Sequence, residues 1–149
     1  MQTVDPGPLA PTEWKEVTTR AFPQRKFPLV EFGLCVLKYF KSNAIALVDE
    51  EPSLFSLLAS GMGLTNRIEA LSLLALPKAK AKKHDLQEVV CLSEAFFPFG
   101  DVIDVLAQDP QGPKYLVQPG GALRDSEVIK RCEEENLAML FTQRRHFRH

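Results

Sequence analysis

The last six positions of the chain, Arg144, Arg145, His146, Phe147, Arg148 and His149, hold three guanidiniums and two imidazoles. Arginine binds phosphate bidentately and stays charged at every relevant pH, so this tail has the chemistry of a phosphate clamp. It also has the composition of a frayed basic terminus, and Phe147 is the residue that gives it a means of docking. Upstream, Phe96-Phe97-Pro98-Phe99 places aromatics around a proline, with Asp101 and Asp104 just beyond. A flat, partly apolar ligand ring could stack on such a loop. The alternative is a hydrophobic plug that closes the core. Gln118-Pro119-Gly120-Gly121 stands between an apolar run and a helical pattern beginning near Asp125, the expected cap. Glycines there let backbone N–H groups approach an anion at a helix N-terminus, or serve only the conformation of the turn. Lys41, Ser42 and Asn43 offer an ammonium, a hydroxyl and a carboxamide at a helix-to-strand junction.

What is missing narrows the chemistry. The sequence contains no GxGxxG, no phosphate-binding P-loop, no GxSxG elbow and no HxE with PCxxC zinc-deaminase signature. His84 sits in a lysine-rich stretch without an evident catalytic partner. Cys35, Cys91 and Cys132 have neither CxxC nor zinc-type spacing and are read as buried thiols, so no metal site is expected.

The elements that must position these groups are legible as alternating patterns. Residues 1–13, with Pro6, Pro8, Pro11 and Gly7, read as a flexible proline-rich arm, and residues 14–149 as one α/β domain. A helix is expected from Pro28 to about Lys41, a strand at Ala44 to Val48, and a loop through Gly61 and Gly63. A helix from Asn66 should be closed or kinked at Pro77, with Lys78, Lys80, Lys82 and Lys83 as its solvated basic end. Strands follow at Val89 to Leu92, Tyr115 to Gln118 and Ala138 to Phe141, with helices at Asp101 to Ala107 and Asp125 to Glu135 between them. This alternation predicts a largely parallel sheet covered by helices, with function in the loops beyond the carboxyl ends of its strands.

Composition agrees with a single packed domain. The 149 residues are 45% hydrophobic and 25% charged, ordinary for a globular chain. Eighteen Lys and Arg against 19 Asp and Glu leave a net charge of -1, so no global basic field exists to hold nucleic acid or an anionic membrane. No apolar run is long enough to span a bilayer and no signal-peptide pattern opens the sequence, which makes the cytoplasm the expected compartment.

Five ordered segments together resemble one family: KYFKSNAIAL (Lys38 to Leu47), GMGLTNRIEAL (Gly61 to Leu71), SEAFFPFGDVID (Ser93 to Asp104), VQPGGALRDSEVI, and ENLAMLFTQRRHFRH. The resemblance is to the formyltransferase part of the bifunctional purine-biosynthesis enzyme AICAR transformylase/IMP cyclohydrolase. It implies that this chain corresponds to the final part of the family sequence, without the cyclohydrolase domain and the first transformylase half. The implied fold is a cytidine-deaminase-like three-layer α/β domain with a mostly parallel or mixed sheet and no zinc site.

By the same resemblance Asn43 and Lys41 would be catalytic, Asn43 positioning the carboxamide or formyl group. Arg67, Arg145 and Phe96 would bind substrate, with Arg145 on the AICAR 5′-phosphate. Pro98, Phe99, Asp101, Pro119, Gly120 and Gly121 would border a pocket for the co-substrate 10-formyltetrahydrofolate, with no metal. The chain departs from the family pattern at Leu64, Gly100 and Val102, where glutamine, arginine and asparagine are expected, and between Val48 and Gly61, where a short hairpin is usual. The implied function is a formyltransferase component acting with a complementary half or as a homodimer. The alternative is a non-catalytic nucleotide-binding or assembly module. No nucleic-acid or membrane partner is implied.

Overall fold

The computed structural model describes residues 13–40, 43–64, 66–97 and 100–143. The expected arm at 1–13 therefore lies almost wholly outside the described residues. In chain order the elements are β1 (Lys15–Glu16), a 3₁₀ turn (Gln24–Lys26), α1 (Phe27–Leu37), β2 (Ile45–Glu51), β3 (Leu54–Gly61) and α2 (Arg67–Glu69). A π-helical segment (Ala70–Ala75), α3 (Leu76–Lys82), β4 (Val90–Ser93), α4 (Asp101–Ala107), β5 (Tyr115–Gln118), α5 (Asp125–Glu134) and β6 (Ala138–Phe141) complete them.

The central runs of β2, β4, β5 and β6 are mostly apolar because both sheet faces are covered there. Ala46, Val48, Val90, Leu92, Tyr115, Val117, Ala138 and Leu140 face α1, through Leu29, Val30, Leu34 and Leu37. Trp14 and Phe22 join that layer, Trp14 edge-on to Phe27 at 5.3 Å and Phe22 edge-on to Tyr115 at 5.4 Å. Alternate residues Ile45, Leu47, Cys91, Leu116 and Met139 face the opposite layer, built from the π-helical segment, α3, α4 and α5.

Among the described residues the strand order is β1-β6-β5-β4-β2-β3. Only β4–β5 and β5–β6 run parallel; β2 is antiparallel to both β3 and β4, and β1 to β6. The expected largely parallel sheet is thus a mixed one. The cause is local: Pro52 and Ser53 turn the chain back at once, so residues expected to be loop form β3, the second strand of a hairpin. A bulge between Leu47 and Val48 offsets that pairing, with Leu58 as the additional residue.

Two helix boundaries also differ from expectation. α1 stops at Leu37, short of Lys41, where Tyr39 and Phe40 bond back three residues to Val36 and Leu37 and tighten the final turn. Pro77 does not close its helix, which runs on to Lys82. The π-helical segment ahead of it closes with Leu76 N–H donating to Leu71 O, and Pro77 then occupies the first turn of α3, where a missing N–H is tolerated.

The lysines of this helix are engaged. Lys82 Nζ donates to Leu58 O at 2.8 Å and Lys78 Nζ to Ser60 O at 3.4 Å, covering carbonyls on the outer edge of β3. An edge strand shielded by lysines is a poor template for pairing with another chain. Lys80 pairs with Asp109 and Lys83 with the buried Asp49, each at 2.8 Å.

The cysteines separate into two environments. Cys91 and Cys132 are buried, and burial pushes both thiols up to about 12. Cys35 is exposed, contrary to the expectation of a buried thiol, because it falls on the outer side of α1. The native chain is expected to react with a disulfide exchange reagent at one thiol of its three, the other two appearing only on unfolding. Two or more equivalents titrating without loss of structure would contradict this packing.

Candidate functional site

Parallel register brings the carboxyl ends of β4, β5 and β6 to one edge of the sheet, with Leu92 beside Val117 and Gln118 beside Phe141. Antiparallel pairing of Ile45 with both Ser93 and Gly61 brings the start of β2 and the end of β3 to that same edge. Asn43, Arg67, Phe96, Asp101, Pro119, Gly120 and Gly121 are therefore neighbours of one sheet edge. Lys41, Pro98, Phe99 and Arg145 lie outside the described residues.

The tightest arrangement is a cluster of Asn43, Arg67 and Glu94. Glu94 follows β4 and is 2% exposed. Its Oε1 accepts from Arg67 Nη2 at 2.7 Å and from the Asn43 backbone N–H at 3.1 Å. The Asn43 Nδ2 donates to Leu64 O at 3.0 Å. Asn43 has φ 59, the left-handed region that asparagine tolerates better than most side chains. Arg67 owes its position to Asn66, whose side chain accepts the Glu69 N–H at 2.9 Å and caps the helix that Arg67 begins. Arg67 Nε is buried with no hydrogen-bond partner among the described residues.

Glu94 is the residue that sequence reasoning missed. A signal existed: it is the one carboxylate between Val89 and Phe99, in an otherwise apolar stretch, and a charge buried there requires a partner. Gln118, at the end of β5, carries the same signal. It is fully buried, accepts the Phe97 N–H at 3.0 Å and donates from Nε2 to Met139 Sδ at 3.3 Å. That anchor seats Phe97 in the core as the plug reading required, while Phe96 stays half-buried at the rim.

The glycine turn has its own internal logic. Gly120 and Gly121 have φ 77 and 99, and a Cβ on Gly120 would stand 2.6 Å from the Phe141 ring. The carboxylate met by the turn's N–H groups is Asp125, which accepts from Gly121 at 2.8 Å and Ala122 at 3.1 Å. Asp125 is thus inside the first turn of α5 and reaches back, with Arg124 at the cap position expected for it. Beyond β6, Thr142 N–H donates to Gln118 O and Gln143 N–H to Pro119 O, so the chain leaves Gln143 beside the glycine turn.

The departures from the family pattern also have a structural reading. Val102 is buried in the core, and Leu64 supplies the carbonyl that holds Asn43. A Cβ at Gly100 would lie 2.7 Å from Arg131 Cγ, so the space beside it belongs to that side chain. Arg131 pairs with Asp104, Glu134 and Glu135. Asp101 accepts the N–H of Val102 at 2.9 Å. Among the described residues no group of three His, Cys, Asp or Glu could hold a metal ion, and no helix is long and apolar enough to cross a membrane.

Comparison with known proteins places this geometry in context. Residues 1–78 match the sequence model of the AICARFT/IMPCHase bienzyme. The chain is 40% identical over 140 residues to the bifunctional purine biosynthesis protein PurH of Lactococcus lactis strain IL1403, covering 93% of this chain and 26% of that protein. It is 42% identical over 118 residues to the protein of that name from Aquifex aeolicus, covering 79% and 22%. It is 38% identical over all 149 residues to the one from Chloroflexus aurantiacus, covering 28% of that protein. The chain spans about a quarter of the length of these curated relatives. The matched span, residues 1–78, is more than half of the chain, and the edge-of-sheet cluster falls within segments that carry the resemblance: the chain belongs to the AICARFT/IMPCHase bienzyme family.

Proposed function

We propose that the chain is the C-terminal part of the transformylase region of this family and serves purine biosynthesis as an AICAR formyltransferase component. The observation that carries the reading is the convergence of Asn43 and Arg67 on Glu94 at the edge where Gly120 and Gln143 also emerge. The reading is supported further by the name of the relatives, bifunctional purine biosynthesis protein. A cytidine-deaminase-like fold without zinc is proposed with it. Its support is the order helix, hairpin, then three helix-strand units, with strands arranged β3-β2-β4-β5-β6.

In the proposed reaction the 5-amino nitrogen of AICAR attacks the formyl carbon of 10-formyltetrahydrofolate. A new N–C bond forms, the bond from that carbon to folate N10 breaks, the amine gives up a proton and N10 takes one. The nucleophile is weak, so placing the two substrates together and moving those protons carry the catalysis. Asn43 and Lys41 act at the reacting groups, Arg67 and Phe96 line the substrate side, and Arg145 holds the 5′-phosphate. Pro98, Phe99, Asp101, Pro119, Gly120 and Gly121 border the folate. Working partners are a complementary transformylase half or a second copy, in the cytoplasm.

The test is formyl transfer from 10-formyltetrahydrofolate to AICAR, with and without the remainder of a family transformylase added as a separate chain. We expect no turnover from this chain alone, turnover on mixing, and a loss of at least about tenfold in Asn43→Ala, the scale of one well-placed hydrogen bond to a reacting group. AICAR binding without transfer in the mixture would instead favour a nucleotide-binding module. Absence of both would overturn the proposal.

A further inference from the structure

Glu94 lies outside the set of residues assigned to the chemistry above, yet Asn43 and Arg67 both make hydrogen bonds to it. One carboxylate oxygen joins two segments distant in sequence, accepting the Asn43 N–H at the entry to β2 and Arg67 Nη2 at the start of α2. The Glu94 backbone N–H donates to Ala44 O at 3.3 Å, so the residue is itself fixed against the strand entry that it organises. With 3% of its side chain exposed beside 17% for Arg67, the pair is largely withdrawn from solvent, where charge-assisted hydrogen bonds hold their direction best.

One feature points to a ligand-facing purpose beside the Asn43 N–H that Glu94 holds. Arg67 is held by Glu94 through one terminal nitrogen, while its buried Nε has no acceptor among the described residues. A buried N–H without a partner is costly, and a bound polar group would relieve the cost. Glu94 also balances the guanidinium charge, so the donors offered here select by direction more than by net charge.

We infer that Glu94 is the positioning residue of the site, setting the Asn43 backbone and the Arg67 guanidinium in the arrangement that receives AICAR. The inference rests on the proposed function for the identity of the ligand, and its test separates the two.

The first arm needs no ligand. Amide hydrogen exchange and the Arg67 Nε–H resonance are followed by NMR in the full chain, in Glu94→Leu and in Glu94→Gln. Glu94→Leu should lower protection of the Asn43 amide at least about tenfold, the equivalent of one charge-assisted hydrogen bond, with β4 and β5 amides unchanged. Glu94→Gln, which keeps one acceptor oxygen, should fall between the two, and it carries the test if the leucine variant does not fold. The second arm is AICAR affinity, expected to fall in the same order. It should fall little further when Glu94→Leu is added to Arg67→Ala, since the two act through one arrangement. Unchanged Asn43 protection, or equal AICAR affinity in all three chains, would overturn the positioning role. A wild-type chain with a protected Asn43 and no AICAR binding would instead overturn the assignment of ligand.

Discussion

Arg67→Ala is expected to lower folding stability by about 4 kcal/mol, because it leaves a buried carboxylate without its counter-charge. Glu94 is 2% exposed and has Arg67 as its charged partner at 2.7 Å, so the variant leaves a charge that water reaches poorly. The alanine also vacates packing under the start of α2, a smaller contribution. Urea unfolding followed by circular dichroism at neutral pH reads the effect directly. Adding Glu94→Leu to Arg67→Ala should recover at least about 1 kcal/mol, since removing both charges is less costly than stranding one. A single variant within about 1 kcal/mol of wild type would mean that the pair is solvated and the site is not preorganised.

Gly61→Ala is the second large effect, expected at about 3 kcal/mol, the upper end of overpacking. A Cβ there would stand 2.1 Å from Ala70 O, 2.8 Å from Ala70 C and 3.1 Å from Ala70 Cα. All three are backbone atoms of the π-helical segment, so no side-chain rotation relieves the clash. Relief requires the end of β3 and the helix to move apart, and that displaces the start of α2, which carries Arg67. Gly63→Ala is the control: nothing lies within 4 Å of its added Cβ, and its φ of 77 leaves only the left-handed backbone cost of about 1 kcal/mol. Thermal midpoints that fail to separate the two variants would contradict the close approach of β3 to Ala70.

Much of this architecture is legible in the sequence because both faces of the sheet are covered. Val90–Ser93, Tyr115–Gln118 and Ala138–Phe141 then read as continuous apolar runs with helical patterns between them. The edge strand β3 was not legible for the converse reason. Its burial passes from exposed at Leu54 to buried at Gly61 without clean alternation, and Gly61 and Gly63 punctuate it as they would a loop. Of the two expectations for Pro77, closing the helix fails, because a wide turn ahead of it moves Pro77 into the first turn of a new segment. Cys35 lies among apolar residues in sequence but on the outer side of α1, a face that Glu31, one turn earlier and likewise exposed, is the only charged residue of the helix to mark.

The candidate site was legible in its parts and not in its assembly. Asn43 and Arg67 stand out as polar groups at element boundaries, yet their meeting depends on β2 lying antiparallel to β4, which no local pattern encodes. Glu94 went unnoticed because it makes no motif of its own; it matters as the third vertex of a contact between two distant segments. At Gly120 the reverse holds. The glycines suggested a ligand cradle, and the structure supplies an internal reason for them in Phe141 and Asp125.

The most direct test of the central claim is a calorimetric titration of the purified chain with AICAR, beside Arg145→Ala and the Gly63→Ala control. Saturable binding at one site is expected, weakened by more than about 1.5 kcal/mol in Arg145→Ala, the scale of a charge-assisted phosphate contact, and unchanged in the control. Saturable binding with equal affinity in Arg145→Ala would contradict the phosphate assignment. No binding, alone or with the remaining transformylase half present, would contradict the account as a whole.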